Sequence, residues 1–501
     1  MFTVPKLLIC FTVVSLLQRR LRGGLPLPPG PKGLPILGNA LEVNVSAPWL
    51  SYIDWAKKYG DLMYSTILGH EFIIINSEEV AHALLEQRSG VYADKPFVSI
   101  MKLYGMDFNT GSLPYGDQWR QHRKMLHTEL KKEASREYQP MQLQKVREFL
   151  QNLIGSPTQL ALHTRMLSAA TVMAVAYGYD VTSVEDRFVT KVEHFLELFL
   201  QGVTLGRAAL LEAMPFLQYI PSWFPGGTYI RLARDCRSVA REVLDDPVLY
   251  VKEEMAGGTT RQSLVKELLG KYTDKDDMGT SEYEETVKGV AATTGSVIQV
   301  FFLAMVLHPE VQIKAQEELD KVVGDGRLPD FNDREKLPYI EALYLETRRW
   351  RPTVPIPAHP RITTTSDVYN GYYIPKGVIV LTNIWAMSHN ETRFPDPTSF
   401  KPERHLSPTG ELLEGTAPHT FGFGLRQCPG KHLADQSVWI AIVSVLATLR
   451  IGKGKDSTGC EINVKPDFTS GLEIRPKPFA CSIEPRSANA ERLIRASNKR
   501  E

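Results

Sequence analysis

The chain has 501 residues, 43% of them hydrophobic, and 58 Lys and Arg stand against 57 Asp and Glu. That is enough apolar chain for a large core, and a net charge of +1 leaves no basic footprint for nucleic acid. The five cysteines, Cys10, Cys236, Cys428, Cys460 and Cys481, make no CxxC and no close pair, which argues against a disulfide framework or a zinc site.

Leu7 to Leu17 is an uncharged, mostly apolar run followed by Arg19, Arg20 and Arg22. A full membrane span wants about 20 apolar residues, and this run is shorter. No small-residue cleavage site follows it, so residues 1–24 read as an uncleaved anchor with a basic flank, shallow or tilted, rather than a signal peptide. The Arg cluster places the body on the cytoplasmic side. There the sequons at Asn44 and Asn390 stay bare; on a secreted chain they would carry sugar. The proline-rich residues 25–39 read as a stiff hinge that cannot be helix or central strand. Residues 40–485 read as one catalytic domain, and 486–501 as a polar, loose tail.

Within the body, apolar runs around Gly69-His70 predict a hairpin over Leu62 to Asn76. A second is predicted over Val368 to Asn383, turning at Pro375-Lys376-Gly377. Helices are expected from Asp117 to about Lys132 and from Pro309 to about Val323. Another follows Pro338, with Ile340, Leu343, Tyr344 and Thr347 on one buried stripe. The last opens at Gly430 and is apolar from Ser437 to Leu449, hence buried on most sides. Residues 252–287, rich in charge, Gly and Thr, read as a surface connection.

The segment Phe421-Gly422-Phe423-Gly424-Leu425-Arg426-Gln427-Cys428-Pro429-Gly430 matches F-x-x-G-x-R-x-C-x-G at every fixed position. The thiolate of Cys428 suits ligation of haem iron and pushes electron density into it. The helix start at Gly430 offers N–H groups and a positive dipole end that lower the thiol pKa. Gly424 and Gly430 allow backbone to approach a ligand closely, and Arg426 suits a carboxylate such as a haem propionate. A Gly-rich turn around a buried Cys is the plainer alternative. Five fixed positions met together argue against it.

On these residues the chain resembles the cytochrome P450 superfamily, in particular its microsomal, basidiomycete-type fungal members, from the anchor to the last helix. The resemblance implies the cytochrome P450 fold, mainly α with small β-sheets in a single large catalytic domain, holding haem b (iron protoporphyrin IX). It implies a membrane-anchored monooxygenase of the endoplasmic reticulum whose catalytic domain faces the cytosol. Electrons would come from NADPH–cytochrome P450 reductase, and the substrate would be a lipophilic small molecule.

Three further motifs fit the resemblance. Glu346 and Arg349, at i and i+3 of an E-x-x-R, share a helix face, and Arg404 of Phe400-Lys401-Pro402-Glu403-Arg404 closes a triad that supports the haem pocket. Trp119 and Arg123, at i and i+4, are expected at the haem propionates, with Phe421 also among the haem contacts. Arg361 is another propionate candidate, although this chain reads His359-Pro360-Arg361 where the family more often shows Pro-His-Arg. The segments Lys95 to Pro114, Phe195 to Phe216, Thr353 to Pro357 and Phe468 to Leu472 are expected near substrate, with ordinary core packing as the alternative. Arg120, Lys124, Lys131, Lys132 and Lys431 form a basic face that suits a reductase, or a solvated surface.

One comparison fails. The family's central helix carries A-G-x-[DE]-T, whereas this chain reads Gly289-Val290-Ala291-Ala292-Thr293. Thr293 is the candidate oxygen-side hydroxyl, Ala292 stands where the acid is expected, and the helix looks shorter by about two turns. That departure keeps two alternatives open: a haem-thiolate isomerase or dehydratase, or a poorly active haem-binding protein.

Overall fold

A computed structural model describes residues 24–35, 37–183, 185–224, 227–272, 285–357, 359–471 and 473–496, without the side chains of 205, 206, 209, 213, 271, 272 and 285–295. Most of the anchor expected over 1–24 lies outside the described residues. Among the described residues no single helix is long and apolar enough to cross a membrane. The chain forms two compact units. One holds the described residues up to Pro96, His359–Met387 and Phe423–Arg426; the other holds Phe97–Ala358, Ser388–Gly422 and the chain from Gln427 onward.

The first unit is built on sheet. Helix α1 (Pro48–Tyr59) has proline at its first position, where no N–H is needed, and buries Trp49, Tyr52 and Trp55. Strands β1 (Leu62–Ile67) and β2 (His70–Ile75) form the expected hairpin. Leu68 and Gly69 both take positive φ, 50° and 82°, as a two-residue primed turn requires. Strands β3 (Arg361–Ile362) and β6 (Ile379–Thr382) complete a sheet of order β1-β2-β6-β3, with β6 parallel to β2.

The second hairpin turns elsewhere than expected. Strands β4 (Asp367–Tyr369) and β5 (Tyr372–Ile374) close on Asn370-Gly371, at φ 49° and 78°, the Asn-Gly signal of a tight turn. Pro375 to Gly377 instead lead β5 across to β6 in the other sheet. The proline-rich segment is also more than a spacer. Proline cannot donate but it accepts: Pro29 O takes the Tyr64 N–H (2.9 Å) and Pro26 O that of Tyr373 (2.8 Å). A Cβ at Gly30 would lie 1.8 Å from Tyr64 O, so this close approach requires glycine.

The second unit is helical: α2 (Asp117–Leu130), α3 (Gln139–Gly155), α4 (Leu160–Tyr177), α5 (Arg187–Gly202), α6 (Thr228–Gly257), α7 (Leu264–Tyr272), α8 (Glu285–Leu307), α9 (Pro309–Val322), α10 (Pro338–Trp350), α11 (Lys431–Thr448) and α12 (Ala488–Ala496), with an antiparallel pair β7 (Leu449–Lys453) and β8 (Cys481–Pro485). The apolar run of α11 is enclosed on all sides, from Val438 to Leu446, and packs with Phe301 to Val306 of α8 and with Ile340, Leu343 and Tyr344 of α10. Residues 252–287 are not the plain surface connection expected. Six of them finish α6, and Leu264, Val265, Leu268 and Leu269 of α7 are buried with Val172, Met173 and Ala176 of α4. Spacings of i, i+1, i+4 and i+5 make that apolar stripe.

Within the tail beyond residue 485, Ala488–Ala496 form helix α12. Ser487 caps the start of α12 through its hydroxyl, which accepts the Ala490 N–H. Ile494 is fully buried among Phe149, Leu150 and Trp439, and Gln151 Nε2 donates to its carbonyl (3.1 Å). Ile494→Ala is therefore expected to cost about 2–5 kcal/mol, read as a lowered urea midpoint. A midpoint equal to wild type would mean that α12 contributes nothing to the core.

Candidate active site

Cys428 lies just before the N-terminus of α11 in the second unit. Its N–H donates to Phe421 O (2.9 Å), which closes the loop. Gly430, at φ −84°, caps the helix, and its N–H turns to the Cys428 sulfur. Arg123 Nη1 donates to Gln427 O (2.7 Å), and its guanidinium carbon lies 6.0 Å from the Trp119 ring centre. Lys431 Nζ bonds Gln427 Oε1 (2.7 Å). The structure thus brings Trp119, Arg123, Phe421, Cys428 and Gly430 together. Helix α10 braces the loop: the Arg348 guanidinium lies 4.5 Å from the Phe421 ring centre and bonds Thr420 Oγ1 (2.7 Å).

One expectation is reversed. Burial pushes the Cys428 thiol up, and the Gly430 N–H, Arg123 and Lys431 oppose it without winning. A helix end is worth only about 0.3–1 kcal/mol to an anion, less than the desolvation of a buried thiolate. A coordinated metal ion would reverse the balance, because its charge deprotonates a bound thiol outright.

Glu346 and Arg349 are both completely buried. Arg349 forks onto the carboxylate through Nε (2.7 Å) and Nη2 (2.8 Å). Arg404 Nε adds a bond at 3.1 Å, His405 Nε2 one at 3.1 Å and the Lys401 N–H one at 2.8 Å. Burial alone would raise Glu346; hydrogen bonds from Arg349 and His405 bring it down to about 2. Burial pulls His405 down despite Glu346 beside it. Sequence reading found the two arginines but missed His405, which directly follows Arg404 and was visible only as a neighbour in that motif.

In the first unit Arg361 is buried on β3. One amino group, Nη2, donates to Phe423 O, and the other, Nη1, is buried with no hydrogen-bond partner. Burial lowers Arg361 to about 10. Arg426 Nε donates to Ala93 O (2.6 Å). Burial, with Lys95 and Arg426 nearby, lowers His359 to about 4. Gly424 has a reason other than ligand approach: at φ 53° its Cβ would lie 2.0 Å from Leu85 O.

Thr293 falls within α8, and its side chain is outside the described residues. That helix starts at Glu285, so the upstream connection contributes three of its residues, Glu285 to Val287. Two of the segments expected near substrate pack on each other as core: Ile100, Tyr104 and Met106 with Phe195, Ala208 and Leu211. Gly202 makes room there, since a Cβ would fall 2.0 Å from the Tyr104 ring. Thr353 O accepts the Ile474 N–H (2.8 Å), and the Arg351 guanidinium lies 5.5 Å from the Phe468 ring centre. Of the basic face, Arg120 pairs with Asp117 (2.6 Å), while Lys124, Lys131 and Lys132 are exposed.

The cytochrome P450 family model matches residues 28–480. The chain belongs to the cytochrome P450 family. Among curated proteins it is 37% identical over 484 residues to cytochrome P450 monooxygenase COX2 of Coprinopsis cinerea, covering 94% of this chain and 91% of the relative. Cytochrome P450 monooxygenase claR of Ampulloclitocybe clavipes is 38% identical over 482 residues, 94% and 88% covered. Cytochrome P450 monooxygenase COX1 of Coprinopsis cinerea is 36% identical over 502 residues, 97% and 96% covered. The fold is therefore the expected one, mainly α with small sheets, and the cofactor class is haem iron. The residues fit that group. In the second unit Cys428 offers a free thiol, and in the first Nη1 of Arg361 is buried without a hydrogen-bond partner.

Proposed function

We propose that this cytochrome P450 binds haem b and is a monooxygenase of lipophilic small molecules, fed with electrons by NADPH–cytochrome P450 reductase. The observation that carries the reading is the free Cys428 thiol at the start of α11, facing the Gly430 N–H with Arg123 beside it. When bound, haem supplies a redox-active iron that activates O2. The residues divide the remaining work. Cys428 would ligate the iron, and the Gly430 N–H would temper the charge on sulfur. Trp119, Arg123, Arg361 and Arg426 would hold the propionates, with Phe421, Gly424 and Gly430 shaping the loop. Glu346, Arg349 and Arg404 would keep the loop's support rigid. Thr293 is the proposed hydroxyl that holds a proton on the oxygen side. Residues 1–24 would anchor the chain to the endoplasmic reticulum with its body in the cytosol, and Lys124, Lys131, Lys132 and Lys431 would meet the reductase.

Ala292 before Thr293 favours a second reading, a haem-thiolate isomerase or dehydratase that needs no outside electrons. The test incubates one accepted lipophilic substrate with NADPH and reductase, and in parallel its hydroperoxide alone. The monooxygenase reading expects an oxygenated product that depends on NADPH. A product formed only from the hydroperoxide would establish the second reading, and no product in either arm would leave a haem-binding protein.

A further inference from the structure

Arg348, the residue before Arg349 in the E-x-x-R motif, is a buried cation that the roles above do not use. It is only 8% exposed. Successive residues of a helix stand about 100° apart, so Arg348 leaves α10 on a different side from Glu346 and Arg349. Its neighbour on that side is Tyr344, four residues earlier. Arg348 Nη1 donates to the Tyr344 hydroxyl (3.2 Å), and that hydroxyl donates to Asp435 Oδ1 (2.7 Å). Nη1 itself lies 3.8 Å from the same carboxylate oxygen.

Asp435 stands on α11, the helix that begins just after Cys428. Burial alone would raise Asp435; Arg334 above all, then Arg348 and the Tyr344 hydroxyl, bring it below the ordinary carboxylate value. Arg334 takes the direct bond to Asp435 Oδ2 (2.6 Å) and shares itself with Glu341 (2.8 Å). Arg348 is therefore tied to its acid mainly through a tyrosine. Its Nη1 faces the acid, whereas Nε and Nη2 face the ligand loop. Both donate to Thr420 Oγ1 (3.1 and 2.7 Å), and the guanidinium carbon lies 4.5 Å from the Phe421 ring centre. Phe421 O is the acceptor that fixes the Cys428 N–H. A hydroxyl and a ring orient a cation and leave its charge in place. All of these residues belong to the second unit.

We propose that Arg348 is a positioning residue for the Cys428 thiolate: held by Tyr344 and Asp435, it fixes the Thr420-Phe421 segment and keeps a positive charge behind the ligand loop, which favours the reduced state of the iron. The inference rests on the haem reading above and adds the group that tempers the electron-donating strength of the sulfur. A positive charge in a water-poor surrounding stabilises the state that carries one more electron. Asp435 opposes it, so the two residues act on the iron with opposite sign.

The experiment measures the one-electron reduction potential of the holoenzyme, by dye-equilibrated spectroelectrochemistry, in protein that keeps its red-shifted carbon monoxide band. Arg348→Gln retains a donor for Thr420 Oγ1 and loses the charge. It is expected to lower the potential, changing the reduction equilibrium about tenfold, roughly 59 mV for a one-electron couple. Arg348→Lys keeps the charge and should stay near wild type. Asp435→Asn removes the opposing charge and should shift the potential the other way. Loosened packing would instead shift both sites alike or not at all. Loss of the red-shifted band in Arg348→Gln alone, with Arg348→Lys keeping it, would also support the proposal. Equal potentials for Arg348→Gln and wild type would overturn it. So would a shift or band loss shared by Arg348→Gln and Arg348→Lys, or shifts of one sign in Arg348→Gln and Asp435→Asn. Should Asp435→Asn fail to fold, because it strands Arg334, the comparison of Arg348→Gln with Arg348→Lys decides. A wild-type chain that takes up no haem would overturn the haem reading itself, and this inference with it.

Discussion

Cys428→Ala is expected to abolish the strongly red-shifted Soret band of the carbon monoxide-bound ferrous protein and to reduce turnover to background. Among the described residues no other thiol has the surroundings to replace it. Cys236 is fully buried in a core with Ile100, Tyr104 and Ala240. Cys460 is exposed, and it hydrogen-bonds through its own N–H to Asp456 Oδ1 (3.0 Å) in a tight loop. Cys481 sits on β8, where burial pushes its thiol up to about 11. The substitution should leave the fold intact. The contacts that shape the loop, Cys428 N–H to Phe421 O and Arg123 to Gln427 O, involve the backbone of this loop and not the sulfur. A folded variant with haem still bound but without the red-shifted band is thus the expected product. Wild-type protein with its band at the position of a histidine-ligated haem would refute Cys428 as the ligand.

How much of this was legible in the sequence depends on the range of the interactions. The starts of helices α9, α10 and α11 were placed within a residue because proline openings and apolar periods are local signals. The β1–β2 hairpin was equally local. The second hairpin was misplaced because Asn370-Gly371 was passed over for the proline next to it. Helices α7 and α12 were missed for a different reason. Each is short and rich in charge, and its apolar stripe becomes meaningful only against α4 or against the core under Ile494. The Pro26 and Pro29 carbonyl bonds are tertiary as well, so composition suggested a spacer.

The site shows the same division. Cys428, Glu346, Arg349 and Arg404 could be singled out from the sequence because fixed spacing ties each of them to a motif. Lys95 and His405 make their contacts with chain segments far away in sequence. His405 meets Glu346 across 59 residues and Lys95 meets His359 across 264. The state of the Cys428 thiol was misjudged because the helix end is visible in sequence and burial is not.

Glu346→Ala is expected to destabilise the protein by about 3–5 kcal/mol, since it strands two arginines in a buried site. That is a large share of the roughly 5–15 kcal/mol by which proteins are stable. Arg349 would keep its bonds to Ser388 O and Pro397 O (both 2.9 Å), and Arg404 its bond to Pro395 O (2.8 Å). These carbonyls hold the side chains without offsetting their charge, so partial rescue by Glu346→Gln, which keeps an acceptor oxygen, should be small. The pH dependence gives an independent reading. Glu346 titrates at about 2 in the folded protein against 4.5 for an ordinary glutamate. A depressed folded value means that its contribution is fully present above about pH 4.5 and is lost as pH falls from there through about 2. The size is roughly 3 kcal/mol. Urea midpoints measured from pH 6 down to pH 2 should therefore fall more steeply for wild type than for Glu346→Gln, and the two curves should converge at the acid end. Parallel curves over that interval would show that the carboxylate is not the charge that Arg349 and Arg404 are held by.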